Sequence, residues 1–438
     1  MDGERLPAGM RERAFRLGVA NGILFEVVAA ILQPGTVLSA FFLRLTGSTL
    51  YATVPATVMT IGGLWPQLLA SNFAEARPRK QPLYVATSAV RVATVTAMAL
   101  CAYALADEHA ALLVVLFPLL CFVYASASGA GGVAFMDIVG KTIPATRRGT
   151  FWGLRGFYGG ILALGTGLLV RHLLGPGGPA FPHNYGCLFG LAAGVLVVSA
   201  TVFSLVPEPV RAHPQRRLPL GQHLSRGVCL FRQDPNYRRL YLVGLFSSLA
   251  GIGPVVFVPF ALTSLGLTEG IVGVLIAAST VVVLPANLMW SRMSDRGGNR
   301  RLYLISNWLY LPVPVLALLS ALVPGGWAIP GLPPAWDLRA GAFLLAWVLG
   351  SLAGQSRGMA GTNYILELAP EETRPSYLAF MSVMLAPVAL VPLLAGAVAE
   401  ALSFAAAFAL SLAFALVAHA LIRRLAEPRQ ATPAVVAG

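Results

Sequence analysis

Long apolar runs, each close to the length that crosses a bilayer, fill most of this chain and restrict its fold more than any other feature. A spanning helix needs about 20 apolar residues. Twelve stretches of that size can be marked: 18–42, 50–71, 83–106, 110–137, 150–174 and 185–207, then 238–262, 269–290, 302–323, 340–366, 376–399 and 401–424. Backbone N–H and C=O groups in lipid must be satisfied within the structure, so uninterrupted runs of this length predict helices rather than strands. The composition agrees: the 438 residues are 57% hydrophobic and 11% charged, against about 25% charged in an average soluble chain. The expected fold is therefore an all-α membrane protein of twelve transmembrane helices.

Its net charge of +13 would suggest nucleic acid in a soluble protein, but the placement of the charge argues otherwise. With Arg238, Arg239, Arg423 and Arg424 at the span ends assigned to the loop and terminus they border, 25 of the 31 Lys and Arg fall in the termini and alternate loops. The intervening loops hold only Arg44, Arg171 and Arg339, and the spans hold Arg91, Arg155 and Arg357. This is the positive-inside pattern. It predicts a multi-pass protein of the cytoplasmic membrane with both termini cytoplasmic, lipid as its surroundings and no nucleic-acid partner. The N-terminal arginines Arg5, Arg11, Arg13 and Arg16 precede an apolar run too long for a secretory signal, so that run is expected to stay as the first span. Cys101, Cys121, Cys187 and Cys229 are scattered without ligand spacing. They predict neither a metal site nor a disulfide framework. Neither cofactor nor metal is expected.

Between the sixth and seventh spans lies the longest basic connection, Glu208 to Arg239, with seven arginines and four prolines. It divides the chain into an N-terminal bundle (1–207), a cytoplasmic linker (208–237) and a C-terminal bundle (238–438). Prolines recur inside the spans, among them Pro34, Pro66, Pro118, Pro254, Pro285, Pro312 and Pro387. Membrane bundles tolerate these because neighbouring helices satisfy the freed carbonyls.

Loop patterns recur at matching places in the two halves. After span 2, Ser71 is followed by Glu75 and then by Arg77, Pro78, Arg79 and Lys80; after span 8, Ser291 is followed by Asp295 and Arg296, then by Gly298, Asn299 and Arg300. In register, each copy has an acid four residues past a serine and a basic residue five further on. After span 4, Pro144, Arg148, Thr150 and Phe151 match Pro370, Arg374, Ser376 and Tyr377 after span 10, 226 residues later. Two matches in the same order within six-helix halves argue for duplication, and so for two pseudo-symmetric bundles. At this point the chain resembles the major facilitator superfamily of secondary transporters. Segment 291–300 is similar to that family's loop motif, retaining Asp295, Arg296, Gly298 and Arg300. Glu75, Ala76 and Pro78 depart from it in the first half. The resemblance implies a transporter that works by alternating access, sufficient as a monomer, with spans 1, 4, 7 and 10 lining a central cavity. It also implies that Glu75, Arg79, Lys80, Asp295, Arg296, Arg300, Arg148 and Arg374 clamp and release the cytoplasmic helix ends. Asp137 and Glu367 lie beside the repeated loops and read as part of the same gate.

Ionisable groups inside a membrane are functional candidates by default. Glu26 sits in span 1 between Asn21 and Gln33, roughly 12–15 Å past the start of the span at about 1.5 Å per residue. It is either a proton- or substrate-coupling group or one half of a permanent pair with an arginine such as Arg91. Arg357, in span 10 beside Gln355, is the candidate for an anionic substrate group; given the implied cavity, it and Glu26 would face each other from opposite halves. Asn21 joins Glu26 and Arg357 as a candidate solute- or proton-coupling residue, and Gln33, Gln355 and Asn363 would orient the solute. Arg155, near the start of span 5, is expected to snorkel. Two solute classes fit: a small organic anion, favoured by Arg357, and an amphipathic or lipid-like compound, favoured by the apolar, aromatic composition. A proton or another ion would drive transport. The phosphate-binding Gly-x-x-x-x-Gly-Lys pattern is missing, which argues against ATP-driven transport. His-Glu-x-x-His is missing too, which argues against a membrane-embedded enzyme. A receptor would leave the repeated charged loops without explanation.

Overall fold

The structure is a computed structural model that describes residues 7–75, 79–105, 109–209, 228–323, 337–369 and 374–428. At the ends of α3 and α15, defined below, the side chains of Glu75 and Arg374 lie outside the described residues, as does most of the expected linker.

Two compact units account for the chain: 1–216 with 268–280, and 217–267 with 281–438. The first contains α1 (Ala8–Ile31), α2 (Val37–Thr46), α3 (Thr49–Glu75), α4 (Gln81–Ala104), α5 (Ala110–Thr142), α6 (Ala145–Leu174) and α7 (His183–Ser204). The helices of the second are α8 (Pro235–Leu249), α9 (Ile252–Val255), α10 (Phe257–Thr263), most of α11 (Ile271–Gly297), α12 (Asn299–Tyr310) and α13 (Pro312–Leu322). They continue with α14 (Leu338–Leu368), α15 (Arg374–Leu385), a 3₁₀ turn at Ala386–Leu390, α16 (Val391–Ala401) and α17 (Phe404–Arg423). Among the described residues, 11 helical segments are long and apolar enough to cross a membrane. The expected second span is carried by α3, a continuous helix of 27 residues.

Four expected spans are not single helices, and the cause lies in the sequence. Span 1 stops at Ile31 and resumes at Val37 across Gln33-Pro34-Gly35. Span 7 is divided into α8, α9 and α10 around Gly251, Gly253 and Pro254. Span 9 changes course at Leu311, before Pro312 and Pro314, and span 11 passes through the 3₁₀ turn between Pro387 and Pro392. Proline removes an N–H and disfavours helix in the residue before it. Yet Pro55, Pro66, Pro118 and Pro285 sit inside continuous helices. Breaks come where proline adjoins glycine, or where a second proline follows within a few residues.

Three helix pairings recur in the two units. In the first, α1 lies on α6 and α7, α4 on α5 and α7, and α3 on α5. In the second, α8 lies on α17, and α12 on α14 and α17. Spans 1·6, 3·4 and 3·6 of the first half thus have counterparts in 7·12, 9·10 and 9·12. Buried aromatic side chains fill both interiors: Phe15, Tyr84, Phe151 and Phe203 in one, Tyr237, Trp290, Tyr303 and Tyr364 in the other. At the far end of the first unit, Phe41 packs on Phe117, Phe189 and Tyr185. There the Tyr185 hydroxyl donates to Glu269 at 2.9 Å, and Arg44 pairs with the same carboxylate at 3.5 Å.

Candidate functional site

Three helical stripes of the first unit line an open cavity of about 420 Å³. They are Phe25, Ala29 and Gln33 on α1 and the turn after it, Met59 and Gly63 on α3, and Tyr124, Ser128 and Gly129 on α5. Within each stripe the spacing is one helical turn, so side chains three or four apart share a face. Small residues set the floor: a Cβ on Gly129 would collide with the Gly63 carbonyl, so α3 and α5 cross with their backbones in contact. The break at Pro34 frees Gln33 from the helical ladder. Its Oε1 accepts from the Thr36 hydroxyl at 3.1 Å, and its amide nitrogen has no partner among the described residues.

Glu26 is exposed on the neighbouring face of α1 and packs its side chain over Gly159 of α6. The cation acting on it is Arg155, through space rather than in contact. Arg155 does not snorkel as expected. Gly22 leaves it room to cross α1, where its Nη1 donates to the Gly18 carbonyl at 2.5 Å and to Asn21 Oδ1 at 3.3 Å. The rings of Phe135, Phe151 and Trp152 surround its guanidinium. Asn21 is buried, and its amide donates to Tyr84, to the Ser199 carbonyl and to the Ser199 hydroxyl. It ties α1 to α4 and α7 and has no amide hydrogen left over for a solute. Nor is Arg91 the partner of Glu26: it is buried in α4, donates to Ser88 Oγ at 2.7 Å and lies between Phe25 and Tyr84.

In the second unit, Arg357 on α14 turns into the bundle. Its Nη1 donates at 2.9 Å to the carbonyl of Ser247, which the break after α8 leaves without a helical donor, and its Cζ lies 4.6 Å from the Tyr310 ring centroid. The Tyr310 hydroxyl donates at 2.5 Å to the carbonyl of Ala250, to which Ser411 Oγ also donates at 2.6 Å. Arg357, Tyr310 and Ser411 therefore replace the hydrogen bonds that span 7 loses at its break. Gln355 is exposed on α14. Asn363 donates to Ser294 at 3.0 Å, and Ser294 donates to Asn299 Oδ1 at 2.7 Å. The Asn299 amide donates to Glu367 at 2.8 Å. Asn363 and Glu367 thus share one cluster at the end of the unit that carries the basic loops.

At the same end of the first unit, Lys141 Nζ contacts Asp137 at 2.5 Å and Glu208 at 2.9 Å. Glu208 caps α4, accepting from the backbone N–H groups of Lys80 and Gln81 at 2.8 Å. The second unit repeats this arrangement. Glu427 accepts from the Arg300 N–H at 3.1 Å, at the start of α12, and its carboxylate occupies the space a Cβ on Gly298 would need. Gly298 also has φ +77, a conformation that glycine adopts at little cost. Both carboxylates sit where the helix N-terminus presents free N–H groups and partial positive charge. Sequence reasoning missed both, yet a signal existed: each stands in a Glu-Pro pair just past the sixth span of its half, Glu208-Pro209 and Glu427-Pro428.

The other expected gating groups find different partners. Arg148 turns back onto the end of α5 and donates to the carbonyls of Gly140 at 2.9 Å and Ile143 at 3.2 Å. Arg300 donates from its side chain to the Arg423 carbonyl at 2.9 Å. Arg79 is exposed, Lys80 is buried, and Asp295 and Arg296 lie on the last turn of α11.

Residues 240–437 match the family model described as Major Facilitator Superfamily. The second half of the chain thus matches this superfamily. Solved transporters of the same fold cover nearly all of it. The nucleoside transporter NupG is 13% identical, with a TM-score of 0.65 over 97% of this chain and 100% of that one. For a D-xylose-proton symporter the values are 12%, 0.69, 95% and 98%. For a bacterial homologue of the iron transporter ferroportin they are 12%, 0.71, 94% and 98%. At such identities the superfamily likeness reaches the fold and no further. Uncharacterized proteins of Mycobacterium tuberculosis and Mycobacterium bovis are 27% identical over 273 residues, 60% of this chain. The chain spans about half the length of these curated relatives.

Proposed function

We propose that the whole chain is a member of this superfamily and a secondary transporter of the cytoplasmic membrane, moving a small organic solute by alternating access of two six-span bundles, 1–207 and 238–438, joined by 208–237. The observation that carries the reading is the cavity between α1, α3 and α5, where exposed Gln33 and buried Tyr124 break an otherwise apolar wall. Such a cavity can hold a solute inside a protein where Arg155 and Arg357 are tied to backbone and rings. Glu26 is the embedded acid with the freedom to titrate: it is exposed and has a cation near but not in contact. We assign it proton coupling. Arg357, once the candidate for an anion, is a strut of the broken span 7 in this reading. The carboxylate-capped ends of α4 and α12, with Asp137, Lys141 and Glu367, are the gate, and their release would free the helix ends on the cytoplasmic side. One polypeptide would suffice.

Counterflow in proteoliposomes tests this. Vesicles preloaded with a solute from a broad panel should take up its labelled form faster than protein-free vesicles. No counterflow across nucleosides, sugars, peptides, organic acids and amphipaths would defeat the proposal. A second reading, export or flipping of an amphipathic compound, draws on the largely carbon lining of the cavity. A fluorescent lysolipid that crosses the bilayer only when the protein is present would favour it.

A further inference from the structure

Arg91 has no task in the mechanism above, and its surroundings are unusual for a buried cation. It is 6% exposed. One nitrogen donates to Ser88 Oγ at 2.7 Å, while Nε has no hydrogen-bond partner. Among the described residues no carboxylate contacts it. Burying an ion without a counter-charge is costly. Flanking rings recover only part of that cost. Glu26 cannot supply the missing charge, because Arg155 already faces it.

What lies in front of Arg91 is the cavity wall. Its Cζ is 6.0 Å from the Phe25 ring centroid, and its charge acts on the Tyr124 phenol. Phe25 and Tyr124 both line the cavity. One turn beyond Tyr124, also on the wall, the Ser128 hydroxyl is buried near that phenol without a hydrogen bond of good geometry. The free amide of Gln33 stands on the same lining. Each of these groups can donate, the field behind them is positive, and the rest of the wall is carbon. Such a wall rejects an ammonium ion and offers a polyol few partners.

We propose that the cavity selects a monoanionic organic acid, an inference that rests on the transport reading and names its substrate class. The carboxylate accepts from the Tyr124 and Ser128 hydroxyls and the Gln33 amide. Arg91 provides the counter-charge from behind, and the apolar body of the acid lies along Phe25, Ala29 and Met59. Arg91 is here a positioning residue, since it acts through Tyr124.

The test is thermal stability of the purified full chain with benzoate, phenylacetate and 2-naphthoate, set against benzamide and benzylamine. A ligand that binds only the folded state raises the melting temperature with concentration. The acids should raise it, the amide and amine should not, and the effect of the acids should persist at high sodium chloride. Tyr124→Phe should weaken apparent acid affinity about ten-fold, the size expected for one lost hydrogen bond to a charged group. Arg91→Gln should abolish the preference for acid over amide. If Arg91→Gln fails to fold, Tyr124→Phe and Ser128→Ala carry the test. Equal stabilisation by benzamide, undiminished acid binding in Tyr124→Phe, or no stabilisation by any acid at millimolar concentration would overturn the assignment. Vesicle counterflow separates this from the parent reading. Flux of neutral solutes with no acid binding sinks only the anion, and acid binding without flux sinks only transport.

Discussion

Charged residues in this protein differ widely in what they contribute, and burial decides it. Lys141 and Glu208 expose 3% and 0% of their side chains, and Glu208 also caps α4. Removing one partner of a buried pair typically costs about 3–5 kcal/mol, because the other charge is left uncompensated. Glu12 and Arg147 form an equally short contact at 2.7 Å, but with 40% and 46% of their side chains exposed, and exposed pairs contribute about 0–1 kcal/mol. Glu208→Gln should therefore lower the apparent melting temperature of the detergent-solubilised protein markedly, and Arg147→Gln hardly at all. Equal effects in side-by-side melts would show that the cap has no special weight. Sequence reasoning found Glu26, Arg91, Arg155 and Arg357 because embedded charges are rare. It could not tell which way they turn. On helices apolar on every side, periodicity assigns no inner face, so the inward turns of Arg357 and Arg155 left no pattern to read. Glu208 was hidden for another reason: it borders a basic linker, and its role as a cap depends on α4, more than a hundred residues earlier.

At the scale of helices, close crossings and breaks carry the information. Gly129 meets the Gly63 carbonyl where a Cβ would stand, whereas Gly132, three residues on, has open space there. Gly129→Ala should push α3 away from α5, shrink or distort the cavity and cost about 1–3 kcal/mol, the usual penalty of overpacking. Gly132→Ala should be neutral or mildly stabilising, as alanine is the better helix former. Melts of the two variants, with solute binding measured on each, decide between them. The break in span 7 yields another expectation. Arg357→Met leaves the Ser247 carbonyl without its donor, and Tyr310→Phe removes one from Ala250. Each should destabilise by about 1–3 kcal/mol, and the double variant by less than the sum, because both act on one break. Strict additivity in urea or thermal unfolding would mean that the two struts are independent. Span positions could be read from hydropathy to within a few residues, but breaks could not, since hydropathy counts apolar residues and does not register that Pro34 adjoins Gly35.

The repeated loops made the duplication visible in the sequence, and helix pairings 1·6, 3·4 and 3·6 of the first half recur as 7·12, 9·10 and 9·12 in the second. Sequence resemblance is strongest in 240–437, the half that keeps Asp295, Arg296, Gly298 and Arg300, while the first half keeps the fold with fewer motif residues. That first half also holds the cavity and Glu26. If Glu26 carries the proton, wild-type vesicles with a pH gradient should accumulate solute above the equilibrium level. Glu26→Gln fixes the site in its neutral, proton-loaded form. Solute-for-solute exchange needs no change of protonation and should continue, while accumulation driven by the gradient should disappear and exchange should lose its dependence on pH. In wild type, lowering the pH on one side shifts Glu26 toward the protonated form there. The accumulation it drives should therefore reverse direction when the gradient is reversed. Gradient-driven accumulation that survives in Glu26→Gln at wild-type rate would move coupling to another group. Loss of exchange together with accumulation would instead make Glu26 a solute ligand.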